Sequence, residues 1–179
     1  MLKTNEAVLI VIDVQGKLAR LAHESAQLIK NIQITVQAAH IMNIPIIWAE
    51  QVPDKLGPTV EELSAVLAPL QPIAKSSFSC LGNDEIKQLL TESGKKRAII
   101  CGIETHVCVF QTVRDLLSNA YCAYVLSDAV SSRTLDNKRI GLRRMEKLGA
   151  VISSVEMTLF ELMETAESEQ FRAISKLLK

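Results

Sequence analysis

"AVLIVID", residues 7–13, is a run of six apolar residues closed by a carboxylate. A stretch of strand length with no polar alternation has no face to give to water, so it reads as a β-strand covered on both sides. Outward from it, apolar runs of this length alternate with longer segments of helical period. "SAQLIKNIQITVQAAHIMN" (25–43) places Leu28, Ile32, Val36, Ala39 and Met42 on one stripe and predicts a helix. "IPIIWAE" (44–50) predicts a second strand. "PTVEELSAVLAPL" (58–70) predicts a helix, with Pro58 at its start and Pro69 near its end. "IAK" (73–75) predicts a short strand, and "NDEIKQLLTESG" (83–94) a helix between an Asn cap and a closing Gly.

The second half keeps this rhythm. "KRAIICG" (96–102) reads as a strand and "THVCVFQTVRDLLSN" (105–119) as a helix with Val109, Val113, Leu116 and Leu117 inward. "YCAYVLSDA" (121–129), "LDNKRIGLRRMEKLG" (135–149) and "AVISSVE" (150–156) read as strand, helix and strand, followed by a polar tail (164–179) expected to form a terminal helix. Such alternation predicts a parallel sheet with helices on both faces, joined by right-handed crossovers. If the sheet is doubly wound, its six parallel strands take the order 3-2-1-4-5-6. No linker, repeat or low-complexity segment interrupts it, and residues 1–179 read as one domain.

Composition narrows the function classes. Of the 179 residues, 48% are hydrophobic and 22% charged, and 20 Lys plus Arg balance 20 Asp plus Glu. That balance lacks the basic excess of a nucleic-acid binder. The apolar run at 7–12 is too short for a membrane span and has no signal-peptide pattern. The expectation is a cytoplasmic protein acting on a small molecule, bound to neither nucleic acid nor membrane. Its four cysteines, Cys80, Cys101, Cys108 and Cys122, are then free thiols. They form no CxxC, and His23, His40 and His106 form no ligand pair, so no metal is expected.

In an open parallel sheet, ligands bind beyond the carboxyl ends of the strands, where strand order reverses. Three polar groups stand at such ends. Asp13 closes the first strand, Lys75 closes the third, and Cys108 lies just past the fourth. With Thr105 as the N-cap, Cys108 occupies a first helical turn, where free N–H groups and a nearby cation lower a thiol pKa. Those N–H groups can also hold an oxyanion, a contribution of about 3 to 4 kcal/mol per donor. Asp13 is suited to take the thiol proton and Lys75 to hold Asp13. Taken singly, each residue also has a plainer reading: a core cysteine, a turn-capping aspartate, a solvated lysine. Cys101 and Cys122, inside strands, read as small core residues. Gly16–Lys17 lacks the remainder of a phosphate-binding loop. His106, two residues before Cys108 in a helix, points well away from it.

"VLIVIDVQ" with Asp13, "KSSFS" with Lys75 and "GIETHVCV" with Cys108 together resemble the isochorismatase-like cysteine hydrolase superfamily. The similarity extends through "AEQ" (49–51), "LGPTVEEL" (56–63) and "SDAVSSRT" (127–134), and so covers nearly the whole chain. The resemblance implies the same three-layer α/β/α, Rossmann-like sandwich and a hydrolase, often a homo-oligomer, with an Asp13–Lys75–Cys108 triad. It also implies a cis peptide at Ile103–Glu104, with the Glu104 and Cys108 N–H groups forming an oxyanion hole. The metal-binding DxH pair of the nicotinamidase branch is absent after Trp48, where Glu50 and Gln51 stand instead, so neither a metal nor a cofactor is implied. True isochorismatases commonly lack the cysteine. Its retention favours hydrolysis of a small amide or carbamoyl-type bond through a thioester. Trp48, Gln51 and Phe78 are expected to line the pocket. Two alternatives stay open: vinyl-ether hydrolysis with Asp13 as acid, and a non-catalytic binding or assembly protein on the same scaffold.

Overall fold

The computed structural model describes residues 1–179, apart from the side chain of Glu169. Six strands, β1 (Ala7–Ile12), β2 (Ile46–Gln51), β3 (Ile73–Lys75), β4 (Arg97–Ile103), β5 (Cys122–Ser131) and β6 (Val151–Ser153), form one sheet. Every pairing is parallel, as the alternation of elements predicts, and the order is β3-β2-β1-β4-β5-β6, the one expected for a doubly wound sheet. The helices are α1 (Gly16–Leu21), α2 (Ser25–Ile41), α3 (Pro53–Leu56), α4 (Glu61–Leu67), α5 (Asp84–Glu92), α6 (Phe110–Ser118), α7 (Leu135–Lys147), α8 (Val155–Met163) and α9 (Glu169–Leu177). None is long and apolar enough to cross a membrane.

Strand alternation sorts the interior into two cores. Leu9, Val11, Trp48, Ile99, Cys101 and Leu126 face α1, α2, α4, α8 and α9. Val8, Ile10, Ile12, Ile47, Ala49 and Ile100 face α5, α6 and α7. All six residues of β1 are buried, which is why its sequence shows no polar alternation. β1 and β4 lie side by side from Ala7↔Arg97 to Ile12↔Gly102, so the ends of these two strands bracket the reversal of strand order.

Several local expectations are corrected. Pro58 does not start a helix: Pro53 opens the short α3, and α4 begins only at Glu61. "AVISSVE" is strand for just Val151–Ser153, because the Ser154 hydroxyl accepts a hydrogen bond from the Met157 N–H and starts α8. Cys122 is exposed at the beginning of β5 rather than in the core, whereas Cys101 is fully buried. Asn83 does cap α5, accepting from the Ile86 N–H.

Gly102 shows how tightly the sheet is closed at its functional end. Its φ is +123°, and a Cβ built there would lie 2.7 Å from the Ile12 nitrogen and closer still to the Ile12 carbonyl oxygen. No side chain fits between β1 and β4 at this level. Gly102→Ala is therefore expected to cost about 3 kcal/mol or more, seen as a lowered thermal unfolding midpoint or failure to accumulate folded protein. An unchanged midpoint would show that the two strand ends can separate freely.

Candidate active site

The end of β1 turns sharply. The Asp13 N–H still donates to the Ala49 carbonyl, but its φ of +54° takes the chain out of the sheet, a conformation Asp tolerates better than most residues. The turn leaves the Asp13 carboxylate buried at the sheet's carboxyl edge. Lys75, the last residue of β3, reaches across β2 to meet it. Its Nζ donates to Asp13 Oδ2 at 2.7 Å and to Gln51 Oε1 at 2.6 Å. The Ser77 and Phe78 carbonyls accept from the same nitrogen at 3.2 Å each. The Lys75 side chain has no exposed surface, so these acceptors stand in for the water it has lost.

Gln51 is held in turn. Its Nε2 donates to the Ser76 carbonyl, and its backbone N–H donates to Gln15 Oε1. Gln15 Nε2 donates to the Gln51 and Gly57 carbonyls, so one buried amide ties the turn after β1 to the loop after β2. The role of Gln15 is missing from the sequence reading. Its only signal there is an amide two residues after the strand-ending Asp13.

Cys108 lies in a wide π-type turn, Thr105–Val109, that precedes α6. The Glu104 carbonyl accepts from both the Val107 and Val109 N–H groups, which closes the turn. Thr105 is not the N-cap. Glu104 holds that position without a side-chain bond, and Thr105 Oγ1 is buried without a partner. The sequence reading missed this because Thr105 has the right residue type, while the extra residue of the wide turn moves α6 on to Phe110. α7 packs directly on the turn. A Cβ on Gly141 would lie 2.8 Å from the Thr105 carbonyl oxygen, so the glycine permits the close approach. The peptide between Ile103 and Glu104 is cis, and the Glu104 side chain accepts from the Arg133 backbone N–H and Nε at 3.1 and 3.0 Å.

Asp13 and Cys108 are electrostatically coupled. Burial raises the Asp13 pKa above the ordinary carboxylate range. The charge and hydrogen bond of Lys75, and contact with the Cys108 thiol, pull it partly back. Asp13 Oδ1 has no hydrogen bond of good geometry among the described residues, which leaves it as the free oxygen on the coupled carboxylate. The Cys108 thiol is pushed well up, first by burial and then by the negative charge of Asp13, with Lys75 opposing. This corrects the expectation of a lowered thiol pKa. Burial beside a carboxylate outweighs the lysine, so the resting sulfur keeps its proton. Cys80, on the same side of the sheet, is pushed up to about 12 by burial.

Of the pocket residues expected from sequence, Gln51 joins the cluster through Lys75. Phe78 contributes its carbonyl, while its ring is exposed. Trp48 is not brought to it. It packs in the opposite core and its Nε1 donates to Thr59 Oγ1. Among the described residues, no group of three or more His, Cys, Asp or Glu is placed to hold a metal ion.

Known proteins share this arrangement of chain and fold. The isochorismatase domain model matches residues 7–157. The chain belongs to the isochorismatase family. Among its relatives in that family, a secreted isochorismatase effector, Isc1, of Phytophthora sojae is 39% identical, over 98% of this chain and 85% of its own. Isochorismatase domain-containing protein 2 of Danio rerio is 34% identical, over 99% and 89%. A solved structure described as MAR1 ribonuclease from Caenorhabditis elegans superposes with a TM-score of 0.93 at 33% identity, covering 99% of this chain and 91% of that one. YcaC from Pseudomonas aeruginosa, solved with hexane-2,5-diol and covalent acrylamide, gives 0.91 at 25% identity, over 98% and 90%.

Removing the ammonium from this isochorismatase-family site strands a buried carboxylate. Lys75→Met is expected to destabilise the fold by ~3–5 kcal/mol at neutral pH, and adding Asp13→Asn to it should recover much of that loss. Chemical denaturation of the single and double variants checks both. An equal loss in both would mean that Lys75 acts through packing alone.

Proposed function

We propose that this isochorismatase-family member is a hydrolase that cleaves a small amide or carbamoyl-type bond through a thioester on Cys108. Family membership supports the hydrolase. The observation that carries the finer reading is the clamp on Asp13. Lys75 occupies Oδ2 and leaves Oδ1 without a partner on a carboxylate coupled to the thiol. That the related YcaC structure holds covalent acrylamide, an electrophile to which thiols add, supports a nucleophilic sulfur on this fold.

A protonated thiol and a carboxylate of raised pKa suit proton transfer at the moment of attack. In the proposed sequence, Asp13 takes the Cys108 proton as sulfur bonds to the substrate carbonyl carbon. The resulting oxyanion is met by the Glu104 and Cys108 backbone N–H groups. As the C–N bond breaks, Asp13 returns the proton to the leaving nitrogen. Water, deprotonated by Asp13, then attacks the thioester and releases the acid and the free thiol. Lys75 holds Asp13 in place throughout and favours its ionised form between proton transfers, and no step requires a metal or a cofactor. The same reading makes the protein a cytoplasmic homo-oligomer acting on a small molecule.

The raised Asp13 pKa also suits a second reading, vinyl-ether hydrolysis with the protonated carboxyl as acid. The two separate on one variant. The thioester route predicts that Cys108→Ala abolishes turnover and that Asp13→Asn lowers it by about two orders of magnitude or more. It also predicts an acyl adduct on Cys108, seen by intact-mass analysis after exposure to a panel of metabolite amides. Turnover that survives Cys108→Ala supports the acid route instead.

A further prediction follows from the elevated thiol pKa. In a Cys122→Ser background, which removes the exposed cysteine, iodoacetamide labelling of Cys108 should keep accelerating as pH rises through the alkaline range. A rate that is already maximal at neutral pH would mean that the resting sulfur is a thiolate.

A further inference from the structure

A second site lies on the opposite face of the sheet from Cys108. There α1, the end of β2 and the segment leading into α4 enclose a cleft of about 610 Å³ that contains none of Asp13, Lys75 or Cys108. Trp48, Pro58 and Pro72 supply apolar walls, and Glu50 lies among them. Glu50 is only 5% exposed, yet among the described residues it has no cationic partner. Its Oε1 accepts from the Thr59 N–H at 2.6 Å and from Thr59 Oγ1 at 2.7 Å, and Thr59 Oγ1 also receives the Trp48 Nε1–H. Its Oε2 accepts no hydrogen bond among the described residues, and it is not sealed from the cleft.

A purely structural role does not account for this side chain. Pinning Thr59 to β2 needs one acceptor oxygen, which a glutamine provides without burying a charge. What only a carboxylate adds is a second acceptor and a negative charge, and both are left facing the cleft. At the rim, Arg20 is held by a two-pronged bond to Glu62, and among the described residues neither Arg20 nor Lys17 forms an ion pair with Glu50. An indole beside an unpaired carboxylate is a setting for a cationic group on an apolar body.

We propose that this cleft binds a small organic cation, an ammonium or guanidinium on an apolar or aromatic body, held by Glu50 Oε2 and packed against Trp48. The cleft contains no triad side chain, although the charge of Glu50 is felt at Asp13, and the proposal does not depend on the reaction proposed for the triad.

Trp48 is the chain's one tryptophan, so its fluorescence reports on the cleft directly. Titration with benzylamine, protonated at neutral pH, should produce a saturable change in Trp48 emission, and benzyl alcohol should not. Glu50→Gln should weaken benzylamine binding about tenfold or more. Ser64→Phe, which narrows the cleft from α4 and leaves the Glu50–Thr59 bonds in place, should weaken it as well. It serves as the independent test if Glu50→Gln does not fold. Cys108→Ala should bind as the wild type does. The proposal is overturned by the absence of a saturable response up to ~10 mM benzylamine, or by an equal response to benzyl alcohol. Unchanged affinity in a folded Glu50→Gln or Ser64→Phe protein, or loss of binding in Cys108→Ala, would also overturn it.

Discussion

An ammonium group with no access to water is the constraint around which the active end of this protein is organised. Lys75 cannot be left unsatisfied at that depth. The chain surrounds it with a carboxylate, an amide oxygen and two backbone carbonyls from three separate segments. Each acceptor fixes something else. Asp13 marks the turn out of β1, Gln51 the end of β2, and the Ser77 and Phe78 carbonyls the path of the loop after β3. The lysine thus sets the relative positions of three strand ends, and the thiol is delivered to that frame from the fourth.

The balance of effects on the sulfur follows from the same burial. A cation near a cysteine is usually taken to make a thiolate, but Lys75 is bonded to Asp13, and the pair brings a negative charge to the sulfur along with the positive one. Desolvation then decides the outcome in favour of the neutral thiol. On the thioester route proposed above, a carboxylate of raised basicity next to a protonated thiol holds back the proton transfer until a substrate arrives. In an active site open to water, the thiolate would instead be exposed to passing oxidants.

Much of this was legible in the sequence, for identifiable reasons. β1 shows itself because both its faces are covered, and the parallel pairing follows from the alternation of elements. The strand order was expected only on the condition of a doubly wound sheet and from the family resemblance. The strand ends then single out Asp13, Lys75 and Cys108 by position. What was not legible depends on short-range geometry. One extra residue in the turn at Thr105–Val109 displaces the start of α6, and no composition signal marks it. Ser154 converts the end of an apparent strand into a helix start. Arg133 meets Glu104 only because β5 runs on to Ser131. The separation of Trp48 from Gln51 was available and was missed, since strand residues three apart point to opposite faces.

That alternation at the end of β2 has a wider consequence. Glu50 and Gln51 are consecutive, yet one amide supports the lysine on one side of the sheet while the neighbouring carboxylate lines a different cleft on the other. The pair behaves as a two-sided key cut into a single strand. Inserting one residue before the pair would carry Glu50 into the place of Gln51, bringing a second carboxylate to Lys75, whereas deleting one would carry Gln51 into the place of Glu50 and leave Val52 facing the lysine. Evolution can therefore retune either cavity by replacing a side chain, but a shift in β2 length alters both together.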